Sequence, residues 1–322
     1  MPSFAYHRPA SLRDALDRLA VDSARPLGGG TDLLVSLEEE VERATELVDL
    51  RRIPRAREIA RTRDGGLRLG AAARLADITA HADVRERYPA LAQACDAVGT
   101  TALRHMGTLG GNLCQRPRCW YLRRNIPCLK NGGPSCPAEQ GENRYLAILG
   151  GGPCYAVHPS DPAVALTALD AQVEVAGAGA TRRIAMSAFY TPARADVTRE
   201  TALKAGEIVT AVEIPAVSAG GRQRYDKLMQ RGAWDFALVS LAACRRADGD
   251  VRLVLGGVAP RPWRVDHSVE QDVASGGLGA EDVATLADRA LYDARPLRDN
   301  EYKITLAAAL LRRAMTDLTT RL

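Results

Sequence analysis

NLCQRPRCWYLRRNIPCLKNGGPSCPAEQGENRYLAILGGGPCYAVHPSD, residues 112–161, holds five of the seven cysteines: Cys114, Cys119, Cys128, Cys136 and Cys154. It opens on a glycine turn, Thr108-Leu109-Gly110-Gly111-Asn112, and closes on a polar one, His158-Pro159-Ser160-Asp161. From Cys119 onward the gaps between cysteines hold eight, seven and seventeen residues. Structural zinc sites mostly use close pairs such as C-x2-C. Long, irregular gaps in a stretch rich in glycine and proline suit a loop wrapped round a larger object. The residues leave three readings open: an iron–sulfur cluster, a zinc ion, or no metal. Five thiols compete for four ligand places, and Cys114, next to the glycine turn, is expected to pack beneath it. His158 has ligand chemistry, but its place beside Pro159 suits a turn.

Upstream lies a second glycine turn, Pro26-Leu27-Gly28-Gly29-Gly30-Thr31-Asp32. Successive glycines let backbone N–H groups converge where side chains would keep a phosphate away. Neither turn is a G-x-G-x-x-G fingerprint or a P-loop. Two such turns, each with a hydroxyl and a short polar partner, suit the two phosphates of a dinucleotide. Thr31 can donate to a phosphate oxygen, and Asp32 can cap a helix or accept from a sugar. Asp161 can serve as a ligand for a cofactor hydroxyl, as the cap of a helix starting near Pro162, or as both at once.

The flanking chain alternates helices and strands. Helices are expected at Ser11–Leu19, Leu33–Leu37, Leu75–Ala80, Tyr88–Val98, Ala163–Leu169 and Tyr302–Leu318. Strands are expected at 45–50, 66–71, 171–175, 207–214, 225–229, 237–243 and 251–258, with Asp248-Gly249 as a hairpin turn. A boundary is expected at 176–183, Ala-Gly-Ala-Gly-Ala-Thr-Arg-Arg. The fold class is α+β.

The chain has 322 residues, 46% hydrophobic and 25% charged, enough for two or three domains. Net charge is +4 and aromatics are 5%, with no basic-aromatic stripe, so no nucleic-acid partner is expected. No run is long and apolar enough for a membrane span. The N-terminus has no basic start followed by an apolar run, so a cytoplasmic location is expected, or a periplasmic one by export with a signal-bearing partner. Seven cysteines in this length do not make a disulfide scaffold, and Cys95 and Cys244 sit in apolar surroundings as structural residues.

Taken together, LGGGTDLL at 27–34, TLGGNL at 108–113, HPSD at 158–161, KLMQRGAWDFALVSLAA at 227–243 and LGGVAPRPWR at 255–264 resemble the FAD-binding medium subunit of the molybdenum hydroxylases. This is the xanthine dehydrogenase and carbon monoxide dehydrogenase family. The resemblance runs nearly end to end. Two branches of the family carry a cysteine-bearing insertion after TLGGN: 4-hydroxybenzoyl-CoA reductase and the bacterial aldehyde oxidoreductases of periplasmic type. CWYLRRNIPCLKNGGPSC followed by GGPCYAVHPSD is closer to the aldehyde branch.

The resemblance implies a two-subdomain FAD-binding domain of the vanillyl-alcohol-oxidase/PCMH type over 1–178, with an iron–sulfur loop at 114–157. A C-terminal α+β domain with a three-stranded sheet would cover 179–322. It implies FAD contacts from Leu27, Gly28, Gly29, Gly30, Thr31, Asp32, Thr108, Gly110, Gly111, Asn112, Ser160, Asp161, Val209 and Lys227. It implies a 4Fe–4S cluster on Cys119, Cys128, Cys136 and Cys154, with Cys114 left out. It also implies a large molybdenum-cofactor subunit, a small subunit with 2Fe–2S clusters, and an external electron acceptor. No acid–base catalyst is demanded, since a flavin carrier binds and tunes its cofactor. His105, just before TLGGN, is a candidate neighbour of the flavin. Two rivals stand beside this reading: a subunit of an aromatic CoA-thioester reductase, or a zinc-stabilised nucleotide-binding module.

Overall fold

The computed structural model describes residues 3–319 and begins with a small parallel sheet. Strands β1 (Ala5–His7), β2 (Ala24–Leu27) and β3 (Glu46–Asp49) pair in the order β1-β3-β2, all parallel. The helix Leu12–Leu19 fills the first crossover. It starts at Ser11, whose hydroxyl accepts from the Asp14 N–H, and it buries Ala15 and Leu19. The helix Leu33–Glu38 makes the second crossover. The first glycine turn thus leaves the carboxyl end of a parallel strand, where such sheets open onto ligands.

A second sheet joins β4 (Ile59–Arg61), β5 (Leu67–Gly70), β6 (Gln172–Ala176), β7 (Thr181–Ala185) and β8 (Ile208–Ile214). Its order is β4-β5-β8-β6-β7, with every pairing antiparallel. The segment 176–183, whose composition suggested a boundary, is the turn region of the β6–β7 hairpin. Strand β8 lies beyond it and pairs with β5 and β6. The expected division at 178/179 therefore runs between hydrogen-bonded strands. The small residues of 176–180 mark a tight turn, and composition does not separate a hairpin turn from a linker.

The third sheet is antiparallel, order β12-β11-β10-β9, from β9 (Arg222–Leu228), β10 (Val239–Arg245), β11 (Val251–Gly256) and β12 (Trp263–Arg264). Three long strands match the expected three-stranded sheet, and β12 adds a fourth. Two residues carry no alternation to read in advance. Gly249, at φ 90°, makes the β10–β11 turn as Asp248-Gly249 suggested. The helices His267–Ser275, Ala280–Ala290 and Tyr302–Thr319 form a core with this sheet through Val283, Leu286, Leu310, Leu311 and Met315.

One helix binds the units together. Asp161–Ala168 is buried at every residue, as its apolar circumference requires. It packs on the helix Pro89–Asp96 and on β10 and β11. Accordingly one core cluster joins Val173 and Val212 of the second sheet to Tyr225, Ala242 and Val254 of the third. The start of this helix is where the sequence placed Asp161.

Candidate FAD site and cysteine loop

The two glycine turns touch. A Cβ on Gly28 would run into Thr108 Oγ1, and one on Gly29 into the Met106 carbonyl. Gly30 has φ 75°, a conformation that glycine takes without strain. The second turn is pinned from below: Leu109 and Gly110 N–H donate to the Ala73 and Ala71 carbonyls at 2.9 and 2.8 Å. Thr108 Oγ1 accepts from the Gly111 N–H at 3.3 Å.

Three cavities meet at Gly111. One of about 260 Å³ is mainly apolar and is bordered by Gly28, Thr108, Gly110, Ile53, Leu203 and Val209. A second, of about 290 Å³, is bordered by Thr31, Asn112, Val98, Asp161, Lys227 and Trp234. A third, of about 200 Å³, lies over Gly28–Asp32 between them. Leu27 is the exception among the expected contacts: its side chain is in the core with Leu37 and Leu47, leaving its backbone to the turn. Ser160 borders a fourth cavity, of about 180 Å³, that reaches Cys119, Trp120 and Phe236.

Ser160, not Asp161, caps the helix. Its hydroxyl accepts from the Ala163 N–H at 3.1 Å and donates to Asn112 Oδ1 at 2.6 Å, tying the two ends of the loop together. Asp161 is thereby free to take partners from the third sheet. Lys227 donates to Oδ2 at 2.8 Å and Tyr225 to Oδ1 at 2.5 Å. Burial pushes the carboxyl above its ordinary value, opposed by the Lys227 charge and by both hydrogen bonds. Lys227 also donates to the Ala97 carbonyl at 2.9 Å. A buried pair this well bonded is rigid, and breaking it leaves an uncompensated charge.

The loop has little regular structure: a one-turn helix, Trp120–Arg123, and 3-10 turns at Leu129–Asn131 and Pro137–Glu139. All seven cysteines are free. Cys119 lies within electrostatic reach of Cys136 and Cys128, and Cys154 within reach of Cys136 and Cys119. Burial raises the Cys119 thiol and takes Cys154 to about 11. Cys114 packs against the main core, and burial takes it to about 12. Among the described residues no group of three or more His, Cys, Asp or Glu side chains is arranged to hold a metal ion. His158 is buried; its Nδ1 accepts from the Ser160 N–H at 3.3 Å and its ring packs on Tyr190. Burial drives it down to about 3, against the Leu113 carbonyl and helped by the Lys130 charge.

Residues 2–217 match the FAD binding domain in molybdopterin dehydrogenase, and 224–318 match the CO dehydrogenase flavoprotein C-terminal domain. The chain belongs to the FAD-binding medium subunits of the molybdenum hydroxylase family. The first match ends just past β8, in keeping with β8's place in the second sheet. An aldehyde oxidoreductase FAD-binding subunit, PaoB of Escherichia coli, is 38% identical over 98% of each chain. The glyceraldehyde dehydrogenase medium chain of Sulfolobus acidocaldarius is 28% identical over 93% of this chain and 91% of its own. A chain of the carbon monoxide dehydrogenase from Hydrogenophaga pseudoflava superposes with TM-score 0.77 at 23% identity, covering 99% of each, and shows the same fold.

Within this FAD-binding subunit, His105 is exposed on the helix Thr101–Met106 and borders none of these cavities. Val98, Gly99 and Leu103 of the same segment do. Arg118, Trp234 and Phe236 were also missed. Trp234 is 62% exposed at φ 53°, and an aromatic residue in an Arg-Gly-Ala-Trp loop was the available signal. Among the described residues, no helix is long and apolar enough to cross a membrane.

Proposed function

We propose that this chain is the FAD- and 4Fe–4S-carrying electron-transfer subunit of a molybdenum-dependent aldehyde oxidoreductase. The observation that carries the reading is the junction at Gly111, where two abutting glycine turns separate an apolar cavity from one that carries Asp161, Lys227 and Arg118. A dinucleotide needs that plan: a phosphate floor with a ring pocket on either side. Gly28–Thr31, Thr108, Gly110, Gly111 and Asn112 would carry the pyrophosphate, with Leu27 contributing backbone. Val209 and Lys227, both expected beside the flavin, border different cavities, so one of them would face the flavin and the other the far ring, while Asp161 would bind the cofactor's hydroxyl groups. Ser160 would hold Asn112 and Asp161 in place.

The long, irregular gaps between the cysteines support a cluster over one ion. Here Cys119 lies within electrostatic reach of Cys128 and Cys136, and Cys154 of Cys119 and Cys136, all on one loop. Cys119, Cys128, Cys136 and Cys154 would be the ligands. When bound, FAD supplies two-electron chemistry and the cluster one-electron chemistry. The protein's own part is to hold both cofactors and keep Asp161 paired.

The aldehyde assignment leans on the relatives named above, with large and small partner subunits passing electrons to this one and an external acceptor taking them. Purified protein should be yellow-brown, with about one FAD and about four irons per chain. Colourless protein holding zinc and no iron would sink the cluster assignment. Aldehyde oxidation by the assembled enzyme, without reduction of an aromatic CoA thioester, tests the substrate class.

A further inference from the structure

We propose that Asp32 is the residue through which the cysteine loop controls FAD affinity. With the loop in place its charge is matched; with the loop loosened it repels the pyrophosphate. The inference rests on the FAD and cluster reading above.

Asp32 ends the first glycine turn and borders the same cavities as Thr31, Gly111 and Asn112. It makes no capping bond to its own helix. Its carboxylate faces the other way, into the cysteine loop. The Arg116 N–H donates to Oδ2 at 3.0 Å, while Arg118 and Arg123 donate to Oδ1 at 3.3 and 2.7 Å. Arg118 and Arg123 flank Cys119. Arg123 is itself buried and fixed: it donates to the Pro117 carbonyl, to Ser36 Oγ and to the Arg116 carbonyl.

A carboxylate beside a phosphate cavity opposes a phosphate ligand unless matched by positive charge. Glu42 also borders the turn and also meets the loop's Arg116, at 3.7 Å, but it keeps Arg25 at 3.0 Å without the loop. Asp32 has its arginines only while the loop is ordered. The segment around Cys119, Cys128 and Cys136 has only one-turn helices, and the apolar cluster around Cys154, Ala156 and Ala193 is small, so its order rests on a few long-range bonds such as that of Lys130 to Glu200 and on what the thiols hold. Loss of the cluster would therefore expose Asp32 and weaken FAD binding. By linkage, FAD would favour the ordered loop to the same degree.

The test is the FAD dissociation constant of the assembled enzyme, with iron present and after chelation, for wild type and Asp32→Asn. Chelation should weaken FAD binding of the wild type about tenfold, mid-range for coupled sites. Chelated Asp32→Asn should bind FAD about tenfold more tightly than chelated wild type, and the iron-loaded forms should agree within about threefold. A merely structural aspartate gives the opposite sign, with Asp32→Asn weaker in both states. That result, or equal loss on chelation in both proteins, overturns the proposal. A second arm needs no iron: Arg123→Gln, at an arginine that borders none of these cavities, should weaken FAD binding, and adding Asp32→Asn should restore it. Absence of rescue overturns the inference, whereas absence of iron overturns only the cluster assignment.

Discussion

The glycine floor and the cysteine loop lie side by side and are held in different ways. The floor takes its shape from regular structure: β2 and the Leu33–Glu38 helix on one side, and backbone bonds from the second turn to Ala71 and Ala73 on the other. The loop takes its shape from distant groups. Lys130 reaches the Val197 carbonyl and Glu200. Asn300 and Lys303 hold the carbonyls of 145–147, and the Ile148 and Leu149 N–H groups meet the Val258 carbonyl. A floor built locally is preformed for its ligand. A loop held by long-range bonds and thiols is stable only as far as those partners are present.

If that contrast is right, removing iron has the largest effect. Structural metal binding contributes on the order of 10 kcal/mol. Chelation should speed proteolysis within residues 120–142 by about a hundredfold while the sheets keep their circular dichroism. A loop that stays protected would mean that it holds its own shape.

Lys303→Met comes next. Lys303 is fully buried and donates to the Tyr145, Leu146 and Gly257 carbonyls at 2.8 to 3.0 Å. The Leu146 carbonyl keeps Asn300, but leaving the Tyr145 and Gly257 carbonyls unpaired should cost about 2–5 kcal/mol in denaturant unfolding. A loss below about 1 kcal/mol would show that the loop's closing limb is docked by other contacts.

Gly29→Ala probes the floor instead. Its Cβ would meet the Met106 carbonyl, so the turns must part. FAD binding should weaken about 10- to 100-fold, roughly 1.4–2.7 kcal/mol, with iron content unchanged. Equal loss of iron would mean that the two regions are one unit.

The smallest effect per unit change is a pH slope at the turn that closes the loop. His158 is held near 3, below its ordinary 6.5. Below pH 6.5 the unfolded chain binds a proton that the folded chain refuses. Stability should therefore fall as pH drops from 6.5 toward 3, by at most about 1.4 kcal/mol per unit, and be flat above 6.5. His158→Gln should flatten the difference between urea midpoints at pH 7 and pH 5. Parallel profiles would mean that His158 contributes nothing to acid sensitivity.

Much of this was legible before any coordinates. The helix at Ser11 and the strand at 66–71 follow from a cap and an alternation that neighbouring residues impose. The glycines of both turns follow from the backbone approach they permit. The cysteine spacing pointed away from a close-paired zinc site, and the motif set named the family. The cap at 160–161 was read one residue late, because Ser and Asp compete for that role with similar chemistry.

What the chain determines by itself is thus local: turn positions, element types, and the presence of two glycine turns and one thiol-rich loop. Tertiary structure decided the rest. It placed β8 in the second sheet, paired Asp161 with Lys227 and Tyr225, and turned Asp32 from the cavity toward Arg116, Arg118 and Arg123. Backbone preference acts between neighbours in the chain. A carboxylate's partner is set by which cations burial brings within reach, and sequence distance carries no information about that.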